Sequence, residues 1–128
     1  MKRISTAAQV LLGIIFLVFG LNGFFHFIPD FPVPERAGAF IGALLSTGYL
    51  FKLLKSVEIL SGALLLVGWY VPLALIFLAP IIVNIDLFHF FLAPAGLPIA
   101  FAMTGLELYL LWHYRAQFGS ILSRKPSY

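Results

Sequence analysis

Apolar residues fill four long runs, at about 7–28, 49–68, 72–92 and 96–114, each near the ~20 residues a helix needs to cross the hydrocarbon core of a bilayer. Helix-stopping residues separate them. Pro29-Asp30-Phe31-Pro32-Val33-Pro34 closes the first run, because closely spaced prolines remove amide donors and clash with the preceding turn. Trp69-Tyr70 followed by Pro72 supplies an interfacial aromatic pair and a helix restart between the second and third runs. Ala93-Pro94-Ala95-Gly96-Leu97-Pro98 divides the third from the fourth. Residues 35–48, rich in Ala and Gly, are too short to span and predict an interfacial or re-entrant helix. The pattern therefore predicts an all-α membrane protein. It is expected to be a four-transmembrane-helix bundle in a single domain over 1–128, with the short helix between the first and second spans. Pro80 should kink the third span, and the polar tail after Tyr114 should fray.

Polar residues interrupt these runs at few places: Asn22 and His26 in the first, Lys55 and Glu58 in the second, Asn84, Asp86 and His89 in the third, Glu107 in the fourth. An ionisable group in hydrocarbon is costly, so it tends to face a bundle interior and to mark a functional site. At about 100° per residue, Lys52, Lys55, Glu58 and Gly62 share one narrow stripe. Asn22 and His26 lie one turn apart and are expected to meet it. Gly13, Phe16, Gly20 and Gly23 form another stripe, suited to close helix approach through small residues. In the third span not every polar group can point inward, and His89 and Asn84 are the expected inner pair. Counting about 1.5 Å per residue from the loops puts these groups in one outward-opening layer, with Glu107 near the midplane.

The composition agrees with membrane residence: 62% hydrophobic and 10% charged residues, against about a quarter charged in soluble chains. The net charge of +3 comes from scattered Lys and Arg that form no nucleic-acid patch. Five of the eight cluster at the two ends (Lys2, Arg3, Arg115, Arg124, Lys125), which predicts that both termini are cytoplasmic. The basic start followed by an apolar run looks like a secretory signal, but no small-x-small site leads into a polar mature domain, so a retained first helix is expected. Without cysteine, thiol chemistry and disulfides are excluded. Phosphate loops, GxSxG and HExxH are absent.

The residues that remain suit proton handling. Histidine titrates near neutrality, and a carboxylate taken out of water completes a relay. A quinone headgroup needs such donors beside an aromatic wall, and Phe24, Phe25, Phe27, Phe88, Phe90 and Phe91 offer one. Glu58, His26 and His89 are the candidate catalytic residues; Asn22, Lys55, Asn84 and Glu107 are the candidate cofactor-binding residues. No spacing supports a metal or haem ligand set. Two blander readings stand beside these: Lys55 and Glu58 as a structural ion pair, and Trp112, His113 and Tyr114 as an interfacial belt.

Gly20-Leu-Asn-Gly-Phe-Phe-His26, Gly42-Ala-Leu-Leu-Ser-Thr-Gly48-Tyr, Lys55-Ser-Val-Glu58-Ile-Leu-Ser-Gly62, Val83-Asn84 through Phe88-His89, and Pro94-Ala-Gly-Leu together resemble the DoxX family of bacterial membrane proteins, up to about Phe118. The resemblance implies a four-helix inner-membrane protein, in a family named after a small subunit associated with thiosulfate:quinone oxidoreduction. It places the family's recurring polar positions on Asn22, His26, Lys55, Glu58, Asn84 and His89, and leaves Asp86 and Glu107 outside that pattern. The expected function is a redox-linked membrane subunit that binds quinone or a similar small lipophilic molecule, with a partner redox protein or a second copy. The alternative is a non-enzymatic scaffold or assembly subunit. A transporter would call for inverted repeats, and the two halves of the sequence show none.

Overall fold

The computed structural model describes residues 2–126. Among them the regular structure is all helical: α1 (Lys2–Phe25), α2 (Glu35–Ser46), α3 (Leu50–Val67), α4 (Val71–Phe91) and α5 (Leu97–His113), with short 3-10 turns at Pro94–Gly96 and Arg115–Phe118. The stops are those the sequence implies. Gly68 closes α3 in the left-handed region at φ 77°, where lack of a Cβ removes the strain. Pro72 and Pro98 sit in the first turns of α4 and α5, where a missing amide proton costs nothing. α4 runs through Pro80 as one element, with the proline ring on an exposed face.

α1, α3, α4 and α5 form a ring in which α1 packs on α3, α3 on α4, α4 on α5, and α5 on α1. α3 and α5 are thus diagonal. The end that carries the proline loop, α2 and Pro94–Gly96 is called upper here; the end with Lys2, Gly68 and His113 is lower. α2 caps the upper end, with its Phe40 ring 5.6 Å from that of Phe88.

Three helical stretches are long and apolar enough to cross a membrane: Lys2–Phe25, Val71–Phe91 and Pro94–His113. α3, over the second expected span, is not among them, because Lys52, Lys55 and Glu58 crowd into its upper half. Leu11, Ile14, Phe77, Val83, Leu87, Phe101 and Leu108 are exposed around the ring, an apolar outer surface compatible with lipid. The core is Leu12, Phe16, Leu65, Leu75, Leu78 and Leu110.

The α1–α3 seam is built on glycine. A Cβ on Gly13 would lie 3.0 Å from the Gly62 carbonyl, and one on Gly62 only 2.6 Å from the Leu17 amide nitrogen. Small residues let the backbones close to this distance. The expected glycine stripe is therefore the face that meets α3, and it displaces Asn22 and His26 from that role. The tail also departs from expectation: Phe118 is buried against the lower core, so the polar segment is pinned by one apolar side chain.

Candidate functional site

A hydrogen-bonded bridge joins the helices at the lower end. Gln9 Nε2 donates to the Leu65 carbonyl at 2.9 Å, and the Tyr114 hydroxyl donates to Gln9 Oε1 at 2.6 Å. Gln9, Leu65 and Tyr114 thus tie the lower ends of α1, α3 and α5 together. Seven residues above Leu65 and Tyr114 in the sequence of their helices stand Glu58 and Glu107, about 10 Å up at the helical rise. Glu58 and Glu107 are each only 3% exposed, on the buried faces of two diagonal helices.

Glu58 has a cation beside it. Lys55 Nζ lies 3.2 Å from Glu58 Oε2, with the two side chains 18% and 5% exposed. The Lys55 stem passes over the space that Gly23 leaves free, and its ammonium stands 5.4 Å from the Phe51 ring centroid. One turn further up and on the exposed side, Lys52 lines a cleft of about 280 Å³ with Gly23, Phe24, Leu45 and Phe51. A second cleft, of about 480 Å³, opens at the lower end beside Tyr70, Val71, Tyr114 and Gln117. Neither is lined by Glu58, Glu107, His26 or His89.

Glu107 stands without a hydrogen-bond partner at either carboxylate oxygen. One turn above it on α5, Thr104 Oγ1 lies 2.6 Å from Asp86 Oδ2 and 2.9 Å from the Ala100 carbonyl. Its single proton goes to the carboxylate, the closer and stronger acceptor. Asp86 is therefore the inward acid of α4, while its other oxygen, Oδ1, is buried and unpartnered. Asn84, expected to face inward, is exposed. The reason is helical phase: packing Ile82 and Asp86 toward α5 turns the residue between them outward.

The histidines and Asn22 serve the chain ends and loops. His26 follows the last residue of α1 with φ 51°, and its exposed ring places Nε2 3.3 Å from Asp30 Oδ1. Asn22 Oδ1 accepts the Ile28 amide at 2.7 Å, which ties the outgoing chain back to α1. His89 Nδ1 lies 3.1 Å from the Ala93 carbonyl; since a carbonyl only accepts, that nitrogen carries the proton. The ring occupies the space that a Gly96 side chain would need. The expected meeting of His26, Glu58 and His89 gives way to an interior set made of Lys55, Glu58, Asp86 and Glu107, with the histidines nearer the upper loops. Among the described residues no three His, Asp or Glu side chains stand close enough to hold one metal ion.

At the lower end His113 stacks on Tyr109 with centroids 6.2 Å apart, and the Arg115 guanidinium lies 4.4 Å above the Trp112 ring. Tyr114 leaves that exposed group, because its hydroxyl is engaged by Gln9. Gln9 and Thr104 are site residues that the sequence reading passed over. Their signal was present, as lone polar residues inside apolar runs, but neither carries a charge. Comparison of the chain with protein-family models, curated proteins and solved structures returns no match.

Proposed function

We propose that this chain is a four-span integral protein of the bacterial inner membrane, DoxX-like in its polar positions, with α2 at the outer interface and both termini cytoplasmic. Lys52, Lys55 and Glu58 do not bar α3 from spanning, because the pair is turned inward and Lys52 sits near the upper end, where a long stem reaches the interface. In this reading the interior binds quinone or a similar small lipophilic molecule, and the protein works as a redox-linked subunit. Lys55 and Glu58 set the local charge. Glu107 and Asp86 exchange protons with the bound headgroup, and His26 with Asp30 stands at the upper rim within reach of water.

The observation that carries the reading is the burial of Glu58 and Glu107 inside the bundle. Charged groups are retained in such surroundings at a stability cost that function offsets. Native mass spectrometry of the detergent-extracted protein tests it. A bound quinone that disappears in Glu58→Gln, with thermal stability kept, supports the proposal; ligand-free protein in both forms ends it.

A scaffold reading has its own support. The Lys55 stem is part of the glycine-packed α1–α3 seam, so its pair with Glu58 also locks two helices. In that case Glu58→Gln lowers stability and complex assembly without changing any bound ligand.

A further inference from the structure

We propose that the cleft beside Lys52 binds the headgroup of an anionic phospholipid, with the lysine paired to its phosphodiester. The inference rests on the membrane-spanning reading of the chain and is independent of quinone. Gly23 and Phe24 of α1, Leu45 of α2, Gly48 of the turn that follows, and Phe51 and Lys52 of α3 line a space of about 280 Å³. This is close to the ~300 Å³ of the smallest ligand pockets. It has room for a glycerophosphate headgroup and leaves the acyl chains in the bilayer.

The cleft carries one charge, and its walls hold nothing that balances it. Lys52 is exposed, and among the described residues the ion pairs are His26 with Asp30 and Lys55 with Glu58, neither of which includes it. No acidic side chain lines the cleft, and none stands in the first turn of α3. Lys55 cannot serve in its place, because Glu58 already holds its ammonium at 3.2 Å. Arg36, another cation of the upper end, follows Glu35 at the start of α2 and lies outside the cleft. An anion therefore reaches Lys52 without displacing a carboxylate, and a phosphodiester oxygen offers it a charge-assisted hydrogen bond.

The surroundings select the source of the phosphate. Lys52 is the third residue of α3, about 3 Å from the start of the helix, the depth at which headgroups meet a spanning segment. Phe24 and Leu45 are exposed, so the cleft opens onto the apolar outer surface and not into the bundle. A free phosphate ion gains nothing from these walls, whereas the glycerol and first methylenes of a lipid bury against them. An anionic headgroup is preferred, because the ammonium of a zwitterionic one would stand against Lys52.

Native mass spectrometry of the full chain, released from neutral detergent after equilibration with dioleoylphosphatidylglycerol or dioleoylphosphatidylcholine, tests the proposal. The two lipids share acyl chains and phosphate and differ in headgroup charge. One phosphatidylglycerol is expected to stay bound, with an affinity about tenfold above that of phosphatidylcholine. Lys52→Gln should remove this preference and Lys52→Arg should keep it. Arg36→Gln, at an exposed cation outside the cleft, should leave it unchanged. Because Lys52 is exposed, its variants fold, as circular dichroism will register. Equal retention of the two lipids, a preference that survives Lys52→Gln or is lost in Lys52→Arg, or an equal loss in Arg36→Gln overturns the proposal. Displacement of the lipid by inorganic phosphate at equal concentration also overturns it, by assigning the cleft to the free ion. Recovery of the chain in the aqueous fraction without detergent would overturn the membrane reading itself, a result distinct from all of these.

Discussion

The aliphatic stem of Lys55 occupies the place of a side chain on Gly23: a Cβ there would stand 2.5 Å from Lys55 Cγ and 2.7 Å from Cδ. Glycine on α1 thereby lets Lys55 lie flat across the seam and reach Glu58. In Gly23→Ala the flexible stem must shift, at a cost of about 1 kcal/mol, and the ion pair loosens. In Gly62→Ala the new methyl meets the Leu17 amide and the Gly13 carbonyl, which are backbone and cannot give. Thermal unfolding in detergent should show a small loss for the first variant and a loss of about 3 kcal/mol or failure to assemble for the second. Equal effects would show that the seam is not backbone-limited.

The ion pair itself predicts an asymmetric double-mutant cycle. Lys55→Met leaves Glu58 buried without its cation and should destabilise the protein by about 3 kcal/mol. Adding Glu58→Gln removes the stranded charge and should recover most of that loss. Urea or thermal unfolding of the four forms measures the coupling; additive losses would mean that the two side chains act independently.

His89 and Gly96 form a latch between α4 and α5. Gly96→Ala drives a methyl into the imidazole ring and should cost about 1–3 kcal/mol. Combining it with His89→Ala opens the space and should restore part of the stability, although the hydrogen bond to Ala93 is lost. Failure of the second change to help would remove His89 from this positioning role.

On α4, neighbouring polar residues should respond in opposite ways. Asn84→Leu changes an exposed position and should leave stability in lipid unchanged or raised. Asp86→Leu removes the stronger acceptor of the Thr104 hydroxyl, leaving it the Ala100 carbonyl, and should lower stability by about 1 kcal/mol. Thermal melts of the two variants in the same detergent decide it, and the reverse order would place the helix in a different rotation.

At the lower end, Tyr114→Phe deletes the donor to Gln9 and should cost about 1 kcal/mol. Phe118→Ala empties a buried site against the core and should cost about 3 kcal/mol. Proteolysis after Tyr114 should accelerate in the second variant, since the tail is held by that side chain.

Hydrophobic runs and prolines determined the helices of this protein by themselves, because both act within one turn or one span of the chain. Prolines at 29, 32 and 34 and the Pro94–Pro98 segment stop helices wherever the rest of the molecule lies. The Lys55–Glu58 pairing was equally legible, since residues three apart on one helix are neighbours before any packing occurs. So was the glycine stripe of α1, though the partner it would meet was not.

Tertiary structure decided which polar groups share the interior, since that depends on rotation and register between helices. Asn84 and Asp86 differ by two positions, and only the packing of α4 on α5 chose the acid. His26 turned out to the rim because the chain leaves α1 before it, a local event with a long-range effect. Glu58 and Glu107 came to share the interior because the ring of α1, α3, α4 and α5 turns both of their faces inward. Nothing in a single helix records the height of its neighbour, so the site had to be found in three dimensions.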